Sequence, residues 1–172
     1  MKEKITPELL MHSIKAKKKK TAIGVVIGFA VMSAITTYVI HPFGLFTVLN
    51  VLLTILAITA IVLVIVLSKG HSIIRAIKAD EIDVYEDEAV KTLYTSGGKG
   101  TNYYIAFKKY QHPKEKGIMV SNEQYENCEL GSSYYIICVK RTLTNPYILV
   151  YPTKDYMLSE NLANKLKGKA DE

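Results

Sequence analysis

Charge is absent from a long, continuous part of this sequence. The forty-eight residues from Thr21 to Ser68 contain no Lys, Arg, Asp or Glu, and their titratable side chains are Tyr38 and His41. A soluble core needs no apolar stretch of that extent, whereas a bilayer requires about 20 apolar residues for each helical crossing. This absence argues against an ordinary soluble protein and predicts a segment that enters a membrane.

Residues that catalyse reactions or hold metals are also scarce. Cys128 and Cys138 have no His partner at ligand spacing and are predicted to be reduced thiols, not a zinc site. The run Gly97–Gly100 lacks the spacing of a phosphate-binding loop and a following Ser or Thr, so it is predicted to be a hairpin turn. The histidines are isolated from one another: His12, His41, His71 and His112. We therefore predict no catalytic residue, no cofactor and no metal site.

Six acidic residues cluster near the start of the predicted soluble part. Such a cluster attracts divalent cations, but this one lacks the glycine and the ligand register of a calcium loop. A solvated charged stretch is the preferred interpretation. The residues are Asp80, Glu81, Asp83, Glu86, Asp87 and Glu88.

The net positive charge is concentrated in one short segment. Residues 1–20 carry seven Lys against two Glu, whereas residues 69–172 carry fifteen basic against fourteen acidic residues. A nucleic-acid-binding protein needs a basic patch on its folded domain. Because the predicted domain is close to neutral, we expect no nucleic-acid partner.

Two segments are long enough to cross a bilayer. Thr21 to Ile40 is twenty residues, about 30 Å of helix, and Leu45 to Leu67 has seventeen Leu, Ile, Val or Phe among twenty-three residues. The intervening residues 41–44 contain Pro42 and Gly44 and allow only a tight reversal. Residues 21–68 are therefore predicted to form a two-helix transmembrane hairpin.

Lysines flank both predicted spans and predict their orientation. Basic residues favour the cytoplasmic side, so both termini are expected in the cytoplasm, with the chain crossing the plasma membrane twice. Residues 1–20 form a basic tail, in which Thr6-Pro7-Glu8 is typical of a helix start. The lysines either hold this tail on anionic lipid or only set the topology. They are Lys15, Lys17, Lys18, Lys19, Lys20 and Lys69.

Small and polar residues within the spans predict how the helices pack. Glycines allow close approach, and hydroxyl and amide groups can hydrogen-bond between helices. The alternative is a polar pathway through an oligomer, because polar groups inside a membrane are often functional. The predicted packing residues are Gly24, Gly28, Ser33, Thr37, Asn50, Thr54 and Ala57.

The remaining sequence predicts a neck over residues 69–79 and a β-rich domain over residues 80–172. A helical turn is expected around Tyr125 and a covering helix over Ser159–Lys167. The strands are predicted at Ile82–Leu93 (its pairing confined to Ala89–Tyr94), Thr101–Tyr110, Gly117–Ser121, Ser133–Lys140 and Tyr147–Tyr151. The fold class is thus a membrane α-helical hairpin plus an α+β domain. That domain is either a small five-stranded antiparallel barrel of the OB or SH3-like kind or a bent open sheet.

Several positions of the domain carry a resemblance to a known group of proteins. They are Tyr103-Tyr104-Ile105-Ala106-Phe107, Val120, Tyr125, Gly131, Tyr134-Tyr135 and the run from Tyr151 to Tyr156. Their spacing resembles that of uncharacterised small bacterial membrane proteins with a transmembrane N-terminus and a cytoplasmic β domain. The resemblance covers about residues 89–158. It implies a membrane location and a β fold and brings no catalytic residues.

The function expected from these patterns is that of a non-enzymatic, membrane-anchored interaction or regulatory module, part of a membrane complex. Its expected partners are the lipid bilayer, a membrane or cytoplasmic protein, and further copies of itself. The alternative function is that of a subunit of an oligomeric transporter or channel, in which Asn50 and its neighbouring threonines line a pathway.

Overall fold

The protein is described from a computed structural model that covers residues 2–40, 44–97, 100–110, 117–140 and 146–170. The chain divides into two compact units. One unit, the β domain, combines Met1–Pro7 with Ala76–Glu172, and the other, the hairpin, is Glu8–Arg75. The predicted turn residues 41–43, 98–99, 112–116 and 144–145 lie outside the described residues.

Two long helices account for the hairpin. Helix α1 spans Pro7–Ile40 and helix α2 spans Leu45–Lys78, each of 34 residues. At 1.5 Å per residue each is about 51 Å long, roughly 20 Å more than the hydrocarbon thickness of a bilayer. The helix start at Pro7 is confirmed. The predicted short helix of the tail is instead the first part of α1, and the predicted neck is the last part of α2.

Helix α2 ends in a compact hydrogen-bonded cap. The amide of Asp80 donates to the carbonyl of Ile77 at 3.1 Å, and the amide of Glu81 donates to the carbonyl of Ala76 at 3.0 Å. Asp80 has φ +59°, the left-handed conformation that such a cap requires and that Asp tolerates better than most residues. This cap fixes where the chain leaves the helix and enters the sheet.

The β domain is built on a five-stranded antiparallel sheet. Its strands are β2 (Ile82–Gly97), β3 (Gly100–Phe107), β4 (Ile118–Val120), β5 (Ser133–Val139) and β6 (Tyr147–Pro152). They lie in the order β4-β3-β2-β5-β6. All five predicted strands are therefore present, with ends that differ from the predicted ones by up to four residues.

The sheet is open, so the predicted OB or SH3-like barrel is wrong and the bent-sheet alternative stands. Strand β2 is shared: residues 82–88 pair with β5 and residues 89–97 pair with β3, with a bulge between Ala89 and Lys91. A barrel closes when its two outer strands pair, but β4 and β6 lie at opposite edges of the sheet. The prediction that β2 pairs only over Ala89–Tyr94 is also too short.

A second, two-stranded sheet is absent from the sequence-based prediction. Strand β1 (Glu3–Ile5) pairs in parallel with β7 (Tyr156–Leu158). The amide of Ser159 donates to the carbonyl of Ile5 at 2.9 Å, and the Ile5 side chain is fully buried. The first residues of the predicted tail therefore belong to the β domain.

Both faces of the five-stranded sheet carry buried side chains. One face holds a continuous cluster: Ala89, Ile105, Phe107, Ile118, Tyr134, Ile136, Cys138 and Val150. On the other face helix α4 (Glu160–Ala170) packs against β2 and buries Leu162. The short helix α3 (Asn122–Glu126) begins with a capping box formed by Ser121 and Gln124. Both helices are present as expected, but α4 continues to Ala170, three residues beyond its predicted end at Lys167.

Candidate functional site

The first candidate surface is the apolar exterior of the hairpin. Both α1 and α2 are long and apolar enough to cross a membrane, and the most apolar window of each contains no buried residue. A core helix of a soluble protein would be mostly buried. Large aliphatic side chains lie exposed along both helices, for example Ile27, Val31, Leu53 and Val64.

Each helix has one stripe of partly shielded side chains. In α1 the stripe consists of Ala22, Val25, Phe29, Ser33 and Thr36, and in α2 it consists of Val48, Val51, Leu52, Ile55, Thr59, Leu63 and Val66. Apart from the adjacent Val51 and Leu52, these residues recur at intervals of three and four, as the side of a helix that faces a neighbouring helix does. The shielded stripe of α2 is mainly aliphatic, whereas that of α1 also contains Phe29, Ser33 and Thr36.

Of the seven predicted packing residues, Ser33 alone lies in a shielded stripe. Gly24, Gly28, Thr37, Asn50, Thr54 and Ala57 are exposed. A methyl group added to Gly24 or Gly28 would meet no atom within 4 Å. These six residues therefore lie outside the shielded stripes. A packing role for them stays a prediction that would need helices outside this hairpin.

The hydroxyl groups of the hairpin mostly bond to their own helix. Thr37 donates to the carbonyl of Ser33 at 2.9 Å, and Thr54 donates to the carbonyl of Asn50 at 2.9 Å. The Ser33 Oγ is shielded and lacks a hydrogen-bond partner among the described residues. Since threonine bonds of this type already satisfy the donor, they lend no support to the predicted hydrogen bonds between α1 and α2.

The lysine collar is the second candidate surface, comprising Lys15, Lys17–Lys20 and Lys69. Helix α1 runs through its lysines without a break. Lys18 is half-buried and the other collar lysines are exposed. A Cβ atom at Gly70 of α2 would lie 2.8 Å from the Cδ of Lys18. The absence of a side chain at Gly70 therefore allows the aliphatic part of the Lys18 side chain to pass close to α2. The collar therefore lies where α1 and α2 are in contact.

The acidic run at the start of the domain is held by separate partners. Asp80 pairs with Lys165 at 2.9 Å, and Asp83 pairs with Lys140 at 3.2 Å. Glu88 pairs with Lys108, also at 3.2 Å. In the part of the chain that the structure describes, no group of three or more His, Cys, Asp or Glu side chains is arranged to hold a metal ion.

Asp87 is the buried member of the run and organises the end of β3. Its Oδ2 accepts from the backbone amides of Lys109 at 2.7 Å and Tyr110 at 2.6 Å, and its Oδ1 accepts from the amide of Glu88 at 2.8 Å. Buried carboxylates are stable only when such donors surround them. Asp87 is therefore a structural anchor for the turn that follows β3.

Both thiols lie beside tyrosine hydroxyl groups in the core of the domain. The Tyr110 hydroxyl and the Cys138 Sγ are 3.3 Å apart, and Cys138 is buried. Burial raises the pKa of Cys128 above its ordinary value. Burial also raises the pKa of Tyr134 to about 12, although the Glu129 amide donates to its hydroxyl oxygen at 3.0 Å. The raised pKa values keep the Cys128 thiol and the Tyr134 hydroxyl protonated near neutral pH, and a protonated thiol is unreactive.

A third candidate surface crosses the outer half of the sheet. Leu93, Tyr104 and Met119 are opposite one another on β2, β3 and β4, so their side chains share one face. Leu93 and Tyr104 are half-buried, and Met119 is 60% exposed. This apolar row lies beyond residues 82–88, the part of β2 that pairs with β5.

Sequence reasoning missed this row because side-chain alternation alone gives two faces without showing which one is covered. The pairing register supplies the missing information. The row is distinguished only once Met119 is known to oppose Tyr104 and α4 is known to pack elsewhere on β2.

Similarity to other proteins offers no further guide to these surfaces. No family model, no curated protein and no solved structure matches the chain.

Proposed function

We propose that this protein is a non-enzymatic, membrane-anchored module whose β domain lies on the cytoplasmic side of the plasma membrane and binds a protein partner within a membrane complex. The observation that carries the proposal is the unshielded apolar exterior of α1 and α2. Exposed to water, such a surface would be far less stable than in lipid, since burial is worth about 25 cal/mol for each Å² of apolar area.

The two-pass arrangement draws support from the β domain itself. Strand β1 precedes α1 and pairs with β7, which follows α2. This pairing supports a placement of both segments on one side of the membrane, and two crossings satisfy that condition. The lysine collar favours the cytoplasm for that side.

The apolar row is the surface proposed for the partner. It combines an aromatic side chain with Leu and Met, residue types that adapt to a bound surface. Four acids of the run, Asp80, Asp83, Asp87 and Glu88, are engaged by cations or backbone amides, and Cys138 is buried, which supports a binding role over catalysis.

Membrane insertion is tested by alkaline carbonate extraction together with a reporter fused after Glu172. We expect the protein in the membrane pellet and a reporter that is active only in the cytoplasm. A soluble protein, or a reporter exported from the cytoplasm, would overturn the proposal.

The partner surface is tested by photo-crosslinking in cells. A photoreactive residue at position 119 is expected to give one adduct of defined mass, which Leu93→Glu abolishes. Position 130 is the matched control, because Leu130 is 58% exposed and lies outside the row. Equal adducts at both positions, or none at 119, would contradict a binding role for the row.

A further inference from the structure

A polar seam runs along the side of α2 that faces away from its stripe. We define the seam as Thr47, Asn50, Thr54 and Ala57, all of which are exposed. Their spacing of three, four and three residues aligns them on one helix face. At 100° per residue this face lies about 150° around α2 from the mean direction of the shielded stripe.

Asn50 makes the seam unusual among lipid-facing surfaces. It lies five residues beyond Leu45, about 8 Å into the apolar segment, where its short side chain is too far from the headgroup region to be hydrated easily. Among the described residues none hydrogen-bonds to its side-chain amide. An amide left without partners in hydrocarbon is unfavourable, because no water replaces the missing bonds.

We propose that the polar seam binds the polar seam of a second copy of this chain, so that two hairpins form a four-helix dimer in the membrane. The inference rests on the proposed membrane insertion and extends it by naming the surface and its occupant.

A second copy fits this surface better than an unrelated helix for a geometric reason. Two copies inserted in the same direction are related by a two-fold axis along the membrane normal, which brings each residue to the depth of its own counterpart. An amide has both donors and an acceptor, so Asn50 complements Asn50 of the second copy. The Thr54 hydroxyl already donates to the carbonyl of Asn50 and keeps its lone pairs for an incoming donor.

Ala57 continues the seam with a small side chain, which allows the two α2 helices to approach closely beside the amide pair. The opposite side of α2 is already used by aliphatic residues of the hairpin stripe, such as Ile55 and Leu63. The dimer would therefore leave the hairpin as it is and add a second layer of helix packing.

The test uses the full chain in lipid vesicles with a single added cysteine. Ala57→Cys is expected to form an intermolecular disulfide under mild oxidation. Leu56→Cys is the matched control, because it is equally deep, 51% exposed and about 140° away from the seam. The unmodified chain gives the background from Cys128 and Cys138. Equal crosslinking at positions 56 and 57 would overturn the proposal.

Two further variants test the amide itself by energy transfer between labelled copies. Asn50→Leu is expected to weaken association at least about tenfold. The double variant Leu49→Asn with Asn50→Leu keeps the composition and depth of the helix but turns the amide by 100° around its axis. Combined with Ala57→Cys, it is expected to lose the disulfide between the two copies. Unchanged association in Asn50→Leu would refute the seam.

The remaining outcomes separate this inference from its foundation and from the transporter alternative. A membrane-impermeant thiol reagent is expected not to label Ala57→Cys, and rapid labelling would place the seam along a water-filled path and overturn the dimer. A protein that extracts as a membrane protein yet stays monomeric defeats only the dimer. A protein that is soluble without detergent defeats the proposed function.

Discussion

The hairpin and the β domain use the same aliphatic residues in opposite ways. Ile61 of α2 is 60% exposed, whereas Ile136 of β5 is fully buried. Within the domain, side chains are covered by the facing elements of a folded chain. Within the hairpin, one stripe per helix is covered and the rest requires a solvent other than water. The contrast teaches that the type of a residue does not determine whether its side chain is buried or exposed. The packing of helices and strands around that residue determines its exposure.

The contrast is tested most severely by the same truncation in each region. Ile136→Ala removes buried methyl groups from the main cluster and is expected to lower the free energy of domain unfolding by about 2–5 kcal/mol. Ile61→Ala, at an exposed position of α2 outside the domain, is expected to change it by less than about 0.5 kcal/mol. Urea unfolding followed by tyrosine fluorescence measures both, and similar losses would show that the two regions are not distinct.

Strand β1 belongs to the domain although it precedes the hairpin, and Ile5 tests that membership. Ile5→Ala is expected to destabilise the domain by about 2 kcal/mol, because the side chain is fully buried. Lys4→Ala is the control, since Lys4 is exposed on the same strand. If both variants unfold at the urea concentration of the parent protein, β1 contributes nothing to the domain.

Asp87 shows how the domain stabilises a buried charge. Asp87→Ala leaves the amides of Lys109 and Tyr110 without their acceptor and is expected to cost about 1–3 kcal/mol. Glu88→Gln is the control, because the Glu88–Lys108 pair is solvent-exposed and worth at most about 1 kcal/mol. Thermal unfolding of both variants measures the difference, and equal effects would remove the anchoring role of Asp87.

Alkaline pH should loosen the domain through its buried phenols. Burial raises the pKa of Tyr134 from 10.0 to about 12, so the folded state holds this proton more tightly than the unfolded chain does. The resulting stabilisation is complete below pH 10 and is lost as the pH rises from there towards 12. Urea midpoints between pH 8 and 11 should fall less steeply in Tyr134→Phe. Parallel pH profiles would contradict the assigned role of Tyr134.

The smallest expected effect concerns the rates at which the thiols react. Cys128 is half-buried with a raised pKa, and Cys138 is almost completely shielded. Because the thiolate is the reactive form, iodoacetamide at pH 7.5 should modify Cys128 slowly and Cys138 only when the domain unfolds. Mass spectrometry after timed quenching resolves the two sites. Equal rates for both in the folded protein would show that the core is open.

The strands were accessible from the sequence because alternation and turn residues mark them locally. In β3, Tyr103, Ile105 and Phe107 alternate with less buried neighbours, and the pattern gave the strand within three residues. Strand β1 left no such signal, since its three residues include a single apolar side chain. Its place depends on a partner that lies far along the chain, which no local pattern reports.

The hairpin shows the complementary limit of sequence reasoning. The depths of Gly28 and Asn50 follow from counting residues, but the side of the helix that each occupies depends on how α1 and α2 rotate against each other. The shielded stripes pass through Val25 and Ile55, whereas the rotation that a preference for small residues at helix contacts favours stays a prediction. The barrel prediction was wrong for a related reason, because strand number does not determine which strands form the edges.

The pairing of β1 with β7 also orders the events of biosynthesis. Lys2 and Thr153, which hydrogen-bond at the edge of this sheet, are 151 residues apart. Ribosomes add roughly 5–20 residues per second, so about 8–30 seconds pass between the synthesis of β1 and that of its partner strand, while both apolar helices emerge. Ile5 acquires its strand partner only when Leu158 has been made. Under the proposed membrane insertion, this interval gives the hairpin time to enter the bilayer before β1 pairs within the domain.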